Sequence, residues 1–121
     1  MIMPIDEVID RFSIFRLKKE KIGGEDIEKA CYEYAKAMTE FSNNYQEIDP
    51  KWLISLYHIN AEIWKLEADL RAGKIDDLEE IGRRALKIRE ANKIRIRIKN
   101  EIVEATGIGF KDVKVNHCSE D

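Results

Sequence analysis

DPKWLISLYHINAEIWKLEADLRAGKIDDLEEIGRRALKIREANKIRIRIKNEIVEAT, residues 49–106, reads as two long helices joined by a tight turn. Asp49 before Pro50 is an N-cap followed by a proline whose missing N–H costs nothing in a first helical turn. From there Trp52, Leu56, Ile59, Ile63, Leu66 and Leu70 recur at heptad-like intervals. Gly73 supplies the stop, because glycine enters the left-handed conformation of a C-cap without a Cβ penalty. Asp76 with Glu79, or Asp77 with Glu80, then offers a capping box for the next helix. With so few residues between them, the helices at 50–72 and 77–106 must fold back as an antiparallel hairpin.

KIRIRIK at 93–99 alternates apolar and basic residues, which taken alone is a strand pattern. The flanks from Leu78 to Ile88 and from Ile102 to Ala105 keep helical period, so the segment is expected to be helix. Ile96 and Val103 then project away from Ile94 and Ile98, which gives the helix apolar groups on two sides and predicts a second subunit on one of them.

Upstream, Ile5, Val8, Ile9, Phe12 and Phe15 predict a helix over 4–22 ended by Gly23 and Gly24. Ile27, Ala30, Cys31, Tyr34, Ala35, Met38 and Phe41 predict a second over 25–42, ended by the polar run Ser42–Asn44. A short strand is expected at Val113–Val115, in a tail over 107–121 that is otherwise irregular. The expectation is therefore one all-α domain over 1–121, a four-helix bundle-like unit built on the long hairpin. A chain of 121 residues suits one core, and 44% hydrophobic with 37% charged residues suits helices with solvated outer faces.

Composition also removes several functions. A formal charge of −3 lacks the basic excess of a nucleic-acid module, so nucleic acid is not an expected partner. Cys31 and Cys118 form no CxxC pair, and His58 and His117 stand in no HExxH-type pattern, so no metal or cofactor is expected. The acidic, interrupted N-terminus does not read as a signal peptide, and no apolar run approaches the roughly 20 residues of a membrane span. A cytoplasmic location, without membrane, is the resulting expectation.

Polar residues intrude on the apolar arcs of the hairpin. At about 100° per residue, Asn60, Glu67 and Arg71, bordered by Trp64, fall inside the arc of the third helix. Arg84, Asn92, Arg95 and Lys99 fall among the isoleucines of the fourth. A turn near Lys74 predicts Glu67 beside Arg84, Arg71 beside Glu79, and Asn60 beside Arg89 or Asn92. If the seam is closed, these groups should form a connected network that fixes register. If the cations Arg84, Arg89, Arg95 and Lys99 are left over, they would leave room for a phosphate, nucleotide or sugar phosphate, with Arg84, Arg95 and Lys99 as its lining and Glu67 as acid or base. No glycine-rich phosphate loop accompanies them, and Glu62, Glu67, Asp69, Glu79 and Glu80 lack the ExxE spacing of a helical magnesium-dependent pyrophosphatase. The eight Lys or Arg against one Glu over 83–99 are expected to face the acidic second helix, with Glu25, Asp26, Glu28, Glu33 and Glu40, in this molecule or in a partner.

DEVIDRFSIFRLKKEKI at 6–22, the pattern N-x3-W-x2-E-x3-R at Asn60, Trp64, Glu67 and Arg71, and RRALKIREANKIRIRIKNEI at 83–102 together resemble small helical proteins of unknown function. Some of those are encoded beside polysaccharide or lipopolysaccharide biosynthesis genes. The resemblance covers the first, third and fourth helices and implies that Asn60, Trp64, Glu67, Arg71 and Asn92 matter, without naming an activity. The function expected from the residues is a structural or protein-interaction module that self-associates, a dimer being favoured, with a further protein partner open to it. The alternative is the anionic-ligand site, and the balance leans away from an enzyme.

Overall fold

A computed structural model describes residues 2–107 and 112–115. The order is β1 (Ile2–Pro4), α1 (Ile5–Lys21), α2 (Glu25–Asn44), α3 (Pro50–Arg71), α4 (Leu78–Thr106) and β2 (Asp112–Lys114). The chain is all-α, with four helices in a bundle-like arrangement and one small ribbon. In that ribbon β1 runs antiparallel to β2, Met3 opposite Val113, so the chain after α4 returns beside the start of α1. The strand expected at 113–115 starts one residue earlier and pairs with a segment whose pattern had suggested only the approach to a helix. Pro4 is the N-cap of α1, still extended at φ −67° and ψ 155°, and closes β1 instead of opening the helix.

The helix ends follow local chemistry. The Asp49 carboxylate accepts from the Lys51 N–H at 2.9 Å, and the Asp77 carboxylate from the Glu79 N–H at 3.1 Å. Asp77 is thus the cap of α4, but the reciprocal half of the box is missing, since the Glu80 carboxylate is engaged by Arg83 and Arg84. Gly73, at φ +68°, donates to the Leu70 carbonyl and turns the chain toward α4. Ser42–Asn44 do not break α2, which runs on to Asn44 with the Tyr45 N–H closing its last turn on the Phe41 carbonyl.

The core lies around α1, not along the hairpin. Val8, Ile9, Tyr34, Ala37, Phe41, Leu56, Ile102 and Val115 are essentially inaccessible, with Phe15 stacked on Tyr34 at 5.5 Å between ring centroids. Helix α1 packs against α2, α3 and α4, whereas α2 makes no close backbone approach to α3 or α4 among the described residues. A helix with neighbours on three sides must bury polar as well as apolar positions. Asp6, Asp10 and Ser13 are the result.

Helices α3 and α4 do form the expected hairpin, and 93–99 is helical. Their buried residues, however, are Leu56, Ile59 and Asn60 on one and Ala91, Ile102 and Thr106 on the other. None of residues 61–90 is buried. At 1.5 Å per residue, the part of α3 beyond Asn60 extends about 16 Å from the packed head. Beyond Ile63, which still packs against the core, the hairpin tip is an arm two helices thick.

Candidate functional site

Where α1 crosses the bases of α3 and α4, a charged cluster gathers around the buried Asp10. Asp10 has no exposed surface. Its carboxylate accepts from Asn60 Nδ2 at 2.9 Å and from Arg95 Nε at 3.1 Å to each oxygen, with Arg95 Nη2 on Oδ2. Lys99 Nζ stands 3.8 Å from the same carboxylate and donates to Glu7. Ser13 Oγ accepts from Asn60 Nδ2 at 2.8 Å and donates to the Asp10 carbonyl at 2.6 Å. Glu7 also accepts from Arg11 Nε at 3.5 Å, one turn along the helix.

These partners answer the electrostatic requirement of the site. A fully desolvated carboxylate survives only if charge and hydrogen bonds replace its water, and a guanidinium laid along both oxygens does so in a fixed geometry. Asp6 lies at the margin: burial pushes its carboxyl above the usual carboxylate range, the attraction of Lys99 opposing this only in part. Among the described residues, the carboxylates of Asp6, Glu7 and Asp10 stand close to the cations Arg11, Arg95 and Lys99.

The structure brings together Asn60, Arg95 and Lys99 of the residues expected from sequence, but their partners come from α1. Asn60 bonds Asp10 and Ser13, not Arg89 or Asn92. Arg84 does not meet Glu67: its Nη1 donates to Asp69 at 3.2 Å and its Nε to Glu80 at 3.2 Å. Arg71 does not meet Glu79 either, its guanidinium lying 5.7 Å from the ring centre of Trp64 on the exposed arm. Trp64, Glu67, Arg71 and Arg84 therefore belong to the arm, away from the cluster, and Asn92 is half-buried on α4 next to Ala91. The basic stretch 83–99 does not face α2 within the chain. Its inward cations meet α1. Glu7, Asp10 and Ser13 are the residues that sequence reasoning missed. Their signal was an i, i+3, i+6 polar line between the apolar positions of α1, opposite the cation surplus of α4.

Chemically the cluster is a lock. Among the described residues Ser13 bonds to no histidine, and His58 is exposed, edge-on to Tyr57. Burial pushes the Cys31 thiol up, away from a thiolate nucleophile. Among the described residues no group of three His, Cys, Asp or Glu is arranged to hold a metal ion. His117 and Cys118 lie outside the described residues.

Concave surface occurs on the other side of α1, where α2 and α3 stand apart. Three cavities of about 370, 400 and 650 Å³ share Phe12 as a wall. Ala35, Met38, Ile48 and Leu53 line the first, and Arg16 and Glu20 floor the other two, where Tyr57 Oη donates to Glu20 at 2.5 Å. Asn60, Trp64, Glu67, Arg71, Arg84, Asn92, Arg95 and Lys99 line none of these three.

No helix among the described residues is long and apolar enough to cross a membrane. Comparison of the chain with family models, with curated proteins and with solved structures gives no match in any of the three.

Proposed function

We propose that the chain is a protein-interaction module that self-associates, in which a packed head holds a two-helix arm out to a partner. The observation that carries this is the arm itself: thirty consecutive positions, 61–90, without one buried residue. On α4 Leu78 is 82% exposed and Leu86 61%, followed toward the head by Ile94 and Ile96. Isolated exposed apolar residues are ordinary on protein surfaces, but several of them on and beside a projecting element suit a docking surface.

The alternative, an anionic-ligand site in the polar seam, draws less support from these contacts. It required surplus cations, and Arg95 and Lys99 are neutralised by Asp10 and Glu7, as Arg84 is by Asp69 and Glu80. An incoming phosphate would have to displace a buried carboxylate that keeps its contacts at no translational cost.

Size-exclusion chromatography with light scattering, run from low to high micromolar concentration, tests the proposal. The weight-average mass is expected to rise toward that of a dimer. A monomer mass over the whole range would overturn self-association, and a thermal shift with inorganic phosphate or sugar phosphates would revive the ligand site.

A further inference from the structure

The outward face of α4 carries a pattern complementary to itself. Leu78 and Ile96, 82% and 57% exposed, are eighteen positions apart, which is five full turns. They therefore stand on one line of the helix, about 27 Å from each other, and Leu86, 61% exposed, lies midway along the axis but about 80° round from that line.

Charge along this helix is polarised. Asp76, Asp77, Glu79 and Glu80 occupy its beginning, and eight Lys or Arg against one Glu follow over 83–99. At the acidic end, the Glu79 side chain is 84% exposed, with one long contact to Arg83 at 3.8 Å. At the basic end, Arg97 is exposed and forms no ion pair among the described residues. Glu79 and Arg97 are also eighteen positions apart and so share one flank of the line that joins Leu78 to Ile96.

We infer that this face receives a second copy of the chain, α4 against α4, antiparallel about a two-fold axis near residue 87. The inference rests on the self-association proposed above and specifies its geometry. An isologous contact pairs each residue with a counterpart reflected through the axis, so Leu78 meets Ile96 of the second copy and Ile96 meets its Leu78. The same operation brings the acidic start of each helix beside the basic stretch of the other, with Glu79 opposite Arg97. A parallel pairing would place acid on acid and base on base, and like charges in contact disfavour it.

The size of the face sets the strength. A helix about 27 Å long and about 10 Å wide offers roughly 270 Å² in projection, well short of the roughly 800 Å² per partner of a stable complex. The dimer is accordingly a dissociating one, formed at micromolar concentration.

Disulfide trapping reads the geometry directly. Leu78→Cys and Ile96→Cys are made separately in a Cys118→Ser background, one of them carrying a mass tag, and oxidised alone and mixed. Antiparallel pairing is expected to give a cross-linked dimer only in the mixture, because identical positions lie about 27 Å apart. In the same assembly Glu79→Lys and Arg97→Glu should each raise the dissociation constant several-fold, and their combination should return it toward the wild-type value.

Cross-linking of either variant with itself would overturn the antiparallel arrangement. So would the absence of any cross-link in a protein that light scattering shows to be dimeric. A wild-type chain that light scattering shows to be monomeric would remove self-association itself, which is a separate failure.

Discussion

Replacing Asp10 by Asn removes one negative charge from the centre of the head and leaves the side-chain shape intact. The wild-type carboxylate is without exposed surface and accepts from Asn60 and Arg95, with Lys99 3.8 Å away. In Asp10→Asn an amide donor replaces one acceptor oxygen, so N–H meets N–H at Asn60 or at Arg95. The Arg95 guanidinium, 30% exposed, then loses this buried carboxylate, whereas Lys99 keeps Glu7. Breaking a buried pair by removing one partner costs about 3–5 kcal/mol. Because Arg95 retains some contact with water, about 3 kcal/mol is the appropriate end of that range. Against a total stability of about 5–15 kcal/mol this is a large loss. It corresponds to roughly 10 °C in Tm at about 3–4 °C per kcal/mol for a domain of this size.

Urea unfolding followed by circular dichroism measures it, with Arg95→Met and the double variant completing a cycle. If the lock is as described, the two single losses are far from additive and couple by at least about 1 kcal/mol. A loss below about 1 kcal/mol for Asp10→Asn, or an additive cycle, would refute the claim that Asp10 and Arg95 join α1 to α4.

Asp6→Asn should act in the opposite sense. The Asp6 carboxyl is pushed up by burial, so its contribution to stability is complete below its unfolded pKa and is lost as pH rises through the higher folded value. The variant is therefore expected to raise the urea midpoint at pH 7, with the gain vanishing as pH falls below the ordinary carboxylate range; a gain that persists in acid would contradict this. Phe41→Ala, at a position 1% exposed, should cost about 3–5 kcal/mol. Leu86→Ala, at 61% exposure on the arm, should leave the stability of the monomer within about 0.5 kcal/mol. Comparable losses at the two positions in dilute protein would contradict the division into head and arm. Asp49→Ala and Asp77→Ala each remove a cap and should cost about 1 kcal/mol in the same unfolding assay; no change in either would show that the cap bond is not formed in solution.

The helices were legible because their ends are written in local chemistry: Asp49 before Pro50, Gly73 after Arg71, Asp77 before Leu78. So was the entry of Asn60, Arg95 and Lys99 into the interior, from angular position alone. What stayed hidden is long-range. Glu67 and Arg84 look like partners when α3 and α4 are considered as a pair, but Asp69 and Glu80 lie closer to Arg84, and the arm gives Glu67 no neighbour that must be neutralised. The true counter-charges, Glu7 and Asp10, lie on the helix that every other helix packs against, and a single helix's periodicity does not reveal how many neighbours it has. The same ignorance placed the cation surplus of 83–99 against α2, which the fold puts on another side of α1. Ile94 is a smaller case: it shares its side of the helix with Ile98, yet it is 40% exposed, and only Ile98 packs against the core.

Amide hydrogen exchange, read at low and at high protein concentration, bears most directly on an arm that the head displays to a second copy. Dilute protein should show slow exchange for the core segments of α1 and α2 and fast exchange across 61–90, since opening a segment without buried residues requires little free energy. Concentrated protein should show new protection over 78–96 while the head is unchanged. Protection of the arm equal to that of the head in dilute solution, or an arm indifferent to concentration, would contradict the account.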